Sequence, residues 1–115
     1  MTDVVLTKQR IEPGKTDHLR EWTQEIQDRE DEALETLEQE GMHHEAAFVE
    51  HTDDGDFLVY FMQADDMDRV FDAFAESDHP IDAEHKEVMR EVLVDGENVG
   101  DYELLYQLSN PNRPE

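Results

Sequence analysis

"FLVYFM", residues 57–62, decides how this chain folds. Read as a strand, it puts Phe57, Val59 and Phe61 on one face and Leu58, Tyr60 and Met62 on the other. A strand with one wet face alternates apolar and polar residues; this one does not, so its sheet needs cover on both sides. The run is far too short to span a bilayer. "DDGD", 53–56, is a hairpin turn in which Gly55 can take positive φ. It joins the run to "HHEAAFVEHT", 43–52, where Ala46 and Phe48 alternate against polar neighbours as in a partner strand.

The flanks supply the remaining elements. "DVVLTKQRI", 3–11, reads as a first strand, broken by "EPGKTD" with its Pro13 and Gly14. A long helix is expected from residue 16 to Glu40, with Gly41 as its left-handed stop. Within it Leu19, Trp22, Ile26, Ala33, Leu34 and Leu37 fall inside an arc of about 120°, and Thr23 and Glu30 fall inside the same arc. "DDMDRVFDAFAES", 65–77, is a short helix, and after "DHP" a second, "IDAEHKEVMREVL", aligns Ile81, His85, Val88 and Val92. "YELLYQL", 102–108, alternates Tyr102, Leu104, Tyr106 and Leu108 and reads as the last strand.

The order is β-α-β-β-α-β with the second helical region split, an α+β class chain on the ferredoxin-like plan. One domain covers 1–109, followed by a polar tail at 110–115. The plan predicts a four-stranded antiparallel sheet with the first and third strands central and helices on one face. The other face then needs a second subunit packed sheet to sheet across a two-fold axis, so a homodimer is expected.

Charge sets the habitat. Asp and Glu number 32 against 9 Lys and Arg, a formal net charge of -23. The acid is spread over every element and apolar residues keep their period, which fits a solvated coat on a folded domain rather than disorder or an acidic tail. Such a coat repels itself at low salt and is screened at high salt, the pattern of a protein from an extreme halophile. No basic stripe exists to bind nucleic acid, and anionic membranes are disfavoured for the same reason. Cysteine is absent, which excludes disulfides and thiolate chemistry. "MTDVVLTKQR" is a strand pattern rather than a signal peptide, so a cytoplasmic location is expected.

"EPGKTDHLREW", the "DDGDFLVYF" hairpin and "HPIDAEH" together resemble the dimeric α+β barrel superfamily, and within it a group of uncharacterised haloarchaeal proteins. The resemblance covers residues 3–108 and implies face-to-face packing of two sheets. More distantly, the strand, Pro-Gly break and long helix are similar to those of L-rhamnose mutarotases. Those enzymes carry a histidine nine positions after the glycine, where this chain has Thr23. Other members of the superfamily are cofactor-free monooxygenases, haem-degrading enzymes, muconolactone isomerases and stress-response proteins.

Two residues are candidates for catalysis. Glu30, if buried, must find a partner or hold its proton, which is what a general acid or base requires; alternatively it bonds to Arg10, Lys8 or a tyrosine hydroxyl as a structural lock, or a kink near 28–31 leaves it exposed. His85 points inward from its helix, as a polar partner or as a core residue. Thr23, Trp22 and His79 would line a substrate pocket between the long helix and the sheet. The expected function is a cofactor-free small-molecule enzyme of isomerase, mutarotase or monooxygenase type, or a ligand binder. The alternatives are a non-catalytic dimeric binding or stress-response module, and a metal protein using His79 and His85, whose six-residue spacing puts them on different faces of a continuous helix.

From about 0.1 M to about 1 M salt the Debye length falls from about 10 Å to about 3 Å. The thermal unfolding midpoint is therefore expected to rise across that range. Circular dichroism at stepped KCl concentrations checks this, and a midpoint indifferent to salt would remove the halophilic reading.

Overall fold

The computed structural model describes residues 2–112. In chain order the elements are β1 (Asp3–Arg10), α1 (Thr16–Asp28), α2 (Glu30–Glu40), β2 (Met42–Thr52), β3 (Gly55–Ala64), α3 (Met67–Glu76) and α4 (Pro80–Val92). Local chemistry sets the boundaries. Gly41 ends α2 at φ 78°, in the left-handed region that costs glycine nothing. Asp66 caps α3 by accepting the Arg69 N–H at 3.2 Å. His79 caps α4, whose first residue is Pro80, by accepting the Ile81 N–H at 3.3 Å. No helix among the described residues is long and apolar enough to cross a membrane.

The sheet is antiparallel and three-stranded, in the order β1-β3-β2. β3, the doubly apolar run, is central. β1 and β2 therefore run parallel to each other on either side of it, joined over the sheet by α1 and α2. In register, Leu58 lies opposite Gln9 and Val49, and Tyr60 opposite Thr7 and Ala47.

Helices pack on the face carrying Leu58, Tyr60 and Met62. Two buried clusters form there. One gathers Ile11, Leu19, Leu58, Val92 and Leu93; the other gathers Met62, Ala64, Met67 and Val70. Tyr60 packs against both, and the space between them is the cavity described below. The opposite face carries Phe57, Val59 and Phe61, flanked by Leu6 on β1 and by Ala46 and Phe48 on β2. Phe57 is covered by Lys8 and Arg10, whose charged ends lie 4.3 and 4.7 Å from its ring centre. Phe48 is 57% exposed.

Two expectations are corrected. The fourth strand at 102–108 is not formed: this segment is without regular secondary structure, and β1 is an edge strand rather than a central one. Instead Ile11 bridges Leu93, the Val94 N–H donates to the Arg10 carbonyl at 3.0 Å, and the Val99 N–H donates to the Lys8 carbonyl at 2.7 Å. The chain leaves the sheet at Gly100. An alternating pattern makes a strand only where an edge receives it, and along the single chain that edge is not used beyond Lys8.

The single helix expected over 16–40 is broken at Arg29, with φ −111° and ψ 40°. Its guanidinium holds the break. It binds Glu25 of α1 at 3.4 Å, Glu32 of α2 at 2.7 Å and Glu84 of α4 at 2.8 Å. Donating hydrogen bonds to the Glu32 and Glu84 carboxylates raises the Arg29 pKa, and accepting from Arg29 lowers that of Glu32.

Leu58 is 1% exposed at the centre of the sheet. Leu58→Ala is expected to cost about 2–5 kcal/mol, measured by denaturant unfolding in concentrated salt; a loss well under 1 kcal/mol would mean that the core lies elsewhere.

Candidate functional site

Between the helical layer and the sheet lies a cavity of about 1060 Å³. Leu58, Tyr60 and Met62 of β3 form its floor, with Thr7 and Gln9 from β1 and Glu45, Ala47 and Val49 from β2. Trp22, Thr23 and Ile26 of α1 line one wall, Thr36, Leu37 and Glu40 of α2 another, and Asp82 and His85 of α4 a third. Most of the lining is apolar, with a few polar groups converging on it, as in small-molecule sites generally.

Those polar groups are ordered. The Trp22 indole N–H donates to His85 Nδ1 at 2.9 Å. Indole can only donate, so Nδ1 is unprotonated and the neutral ring carries its proton on Nε2. Nε2 lies 3.4 Å from the Tyr60 Oη. The chain of donors therefore runs from Trp22 through His85 to Tyr60, leaving the phenolic O–H free to donate into the cavity. Rings enclose the imidazole: Trp22, Tyr60 and Phe74 lie with centroids 6.1, 6.4 and 5.9 Å away. Burial pushes the His85 pKa down, outweighing the nearby Asp82 charge, and the ring stays neutral. Burial, with Glu45 beside it, pushes Tyr60 up, so its phenol keeps its proton.

Three carboxyls share the same space. Asp82 is buried and accepts the Ser77 hydroxyl at 2.6 Å. Glu40, at the end of α2, is 6% exposed, and no hydrogen bond or ion pair to its carboxyl is present among the described residues. Burial, then repulsion from Asp82 and Glu45, raises its pKa to about 7; Lys86 opposes the rise only from a distance. The Lys86 ammonium is turned toward the Ala75 and Ser77 carbonyls, at 3.3 and 3.5 Å. Glu45 sits on the edge strand with part of its surface in solvent, yet the atoms around its carboxyl and the Asp82 charge also push it up.

The candidates drawn from the sequence divide. Trp22, Thr23 and His85 all line the cavity, and the Thr23 hydroxyl is tied to the Arg20 carbonyl at 3.0 Å. Glu30 is not in the cavity: it is exposed at the first turn of α2. The break at Arg29 resets the helical phase and turns Arg29, not Glu30, partly inward. His79 lies outside as well, capping α4 and meeting Glu35 at 3.0 Å. His79 and His85 do not converge, and no group of three or more His, Cys, Asp or Glu side chains among the described residues is arranged to hold a metal ion. Glu40 was missed, although continuing the spacing from Ala33 and Leu37 by three residues reaches it. Tyr60 could be named from the sequence as a hydroxyl able to face inward, but not chosen over Tyr102 and Tyr106, because its facing needs the strand register.

Fold and site together define a small α+β protein with a mainly apolar cavity lined in part by carboxyls of raised pKa. The chain belongs to a family of unknown function, DUF6176, which it matches over residues 2–113. No curated protein and no solved structure matches it.

The raised Glu40 pKa fixes a sign. Between its ordinary value of 4.5 and about 7, the folded chain holds a proton that the unfolded chain has released. Stability therefore falls as pH rises through that window. Glu40→Gln removes the penalty and is expected to stabilise the protein above about pH 8 by up to about 3 kcal/mol. Denaturant unfolding against pH checks this; an unchanged slope in the variant would mean that Glu40 titrates normally.

Proposed function

We propose that this protein binds a small organic molecule in the cavity and moves a proton on it without a cofactor. Tyr60 donates a hydrogen bond to an oxygen of the ligand, and Glu40 takes and returns the proton. The observation that carries this reading is Glu40: a residue only 6% exposed whose carboxyl opens on the cavity, without a hydrogen-bond partner among the described residues, and with its pKa raised to about 7. A group that is half ionised at neutral pH serves equally as acid and base. His85 is a positioning residue, fixing Tyr60 from behind while Trp22 fixes His85. Trp22 and Thr23 form the wall against which the ligand lies. Carbonyl compounds and cyclic hemiacetals suit this arrangement, since both react by gaining hydrogen bonds at oxygen while a neighbouring proton moves. The reaction class is therefore isomerisation or mutarotation.

We further propose that the working form is a homodimer joined through the sheet face of Leu6, Val59 and Phe61, in a halophilic cytoplasm. The apolar character of that face supports it, and the chain order supports a ferredoxin-like plan completed on assembly.

The test is a panel of reducing sugars and cyclic ketones in concentrated KCl. Anomer exchange is followed by NMR for the sugars, and proton loss in deuterated water for the ketones. One class is expected to react faster with the protein. The gain should fall about 100-fold or more in Glu40→Gln and in Tyr60→Phe, the scale of general acid–base catalysis. Rates indifferent to both substitutions would remove the catalytic reading and leave a binding module.

A further inference from the structure

Seven of the ten exposed large hydrophobic residues among those described lie between Val94 and Leu108. Beyond Gly100 the exposure is extreme: Leu104 53%, Tyr106 75%, Leu105 82% and Leu108 83%. Stretches this apolar are rarely left in water by a finished assembly. Their order is that of a strand, Tyr102, Leu104, Tyr106 and Leu108 alternating with Glu103, Leu105 and Gln107. The segment lacks only an edge to join.

The chain offers two edges. β1 has its outer side filled at Lys8 and Arg10 by residues 94–99, leaving only a short free stretch at Val4 and Leu6. β2 is open along all of Met42–Thr52, since it is last in the order β1-β3-β2. β2 is also where cover is missing on both faces. Phe48 is the one sheet residue among the exposed large hydrophobics, while Ala47 and Glu45, on the cavity side, are exposed too. An open backbone edge of this length pairs readily with another strand. The chain's own arm leaves from the far side of the sheet, beside β1, with β3 between it and its own β2. Nine residues, 101–109, reach about 30 Å when extended, enough to cross to a neighbouring molecule.

We infer that residues 101–109 of one copy add as a fourth strand to the outer edge of β2 in a second copy, and that the exchange is mutual. The arm then closes the side of the cavity beside Glu45 and Ala47, so each site is completed by the partner. This rests on the homodimer proposed above, and not on the proton-transfer reading.

Sedimentation of the full chain in concentrated KCl tests it, because Leu104 and Leu108 are largely exposed in the single chain and can be changed without opening its core. The wild-type chain is expected at twice the chain mass. Leu104→Lys with Leu108→Lys is expected at the single-chain mass, with an unchanged circular dichroism spectrum. In a mixture of labelled and unlabelled wild-type chains, isotope-filtered NMR is expected to show contacts from the Tyr106 ring to Ala47 of the other chain. A double variant that stays dimeric overturns the exchange; if Leu6→Lys, on the open sheet face but on β1 and so across the sheet from the β2 edge, is then monomeric, face-to-face pairing stands without it. A monomeric wild-type chain overturns both. Contacts from Tyr106 confined to its own β1 overturn the exchange in favour of a strand folded back on its own sheet.

Discussion

Leu58, Tyr60 and Met62 have to be kept from water, and the placement of every helix answers that need. α1 and α2 cross the sheet from β1 to β2, and α3 and α4 return from β3 to the outer side of β1. Leu19, Val70 and Val92 meet the central strand from three different helices. The cover is incomplete in the middle. Leu58 anchors one cluster and Met62 the other, while Tyr60 touches both and closes neither. A phenol is suited to that position because its ring is apolar and its oxygen is not. The gap left around it is the cavity.

The same burial that makes the cavity sets the chemistry within it. A chain with so many carboxyls has ample surface for them, yet Glu40 and Asp82 are inside. Asp82 is reconciled to burial by the Ser77 hydroxyl. Among the described residues Glu40 has no such partner, and repulsion from its neighbours adds to the cost of its charge. Its response is to keep a proton longer. His85 and Tyr60 respond to the same surroundings by staying neutral. Neutral donors and one group poised between its two forms thus coexist within a strongly acidic protein.

Much of this could be read from the residues. The doubly apolar run located the central strand, Gly41 and Gly55 located two chain reversals, and Pro80 opened a helix. The stripe through Leu19, Trp22 and Ile26 found the cavity wall, and the alignment of His85 with Ile81 and Val88 found its inward facing. The stripe failed at one step. The single-helix reading carried the phase through Arg29, and a kink near 28–31 stood only as the alternative; of the three acidic partners that hold the break, Glu84 is distant in sequence, so local pattern could not choose between the two. That reading put Glu30 on the buried stripe; Glu40, which the same spacing also reaches, lay at the expected helix end and was passed over. The last strand was legible as a pattern but not as a partner choice, because alternation states that an edge is wanted without stating whose.

Arg29 has a mechanical meaning. With basic residues so scarce, one guanidinium is shared among α1, α2 and α4, and its side chain is only 24% exposed. Trp22, Glu40 and His85 stand on those same three helices. The wall of the cavity is therefore one framework: Arg29 joins all three helices, Trp22 and His85 join α1 to α4, and Glu35 and His79 join α2 to the start of α4, so that a displacement of one helix strains its ties to the other two.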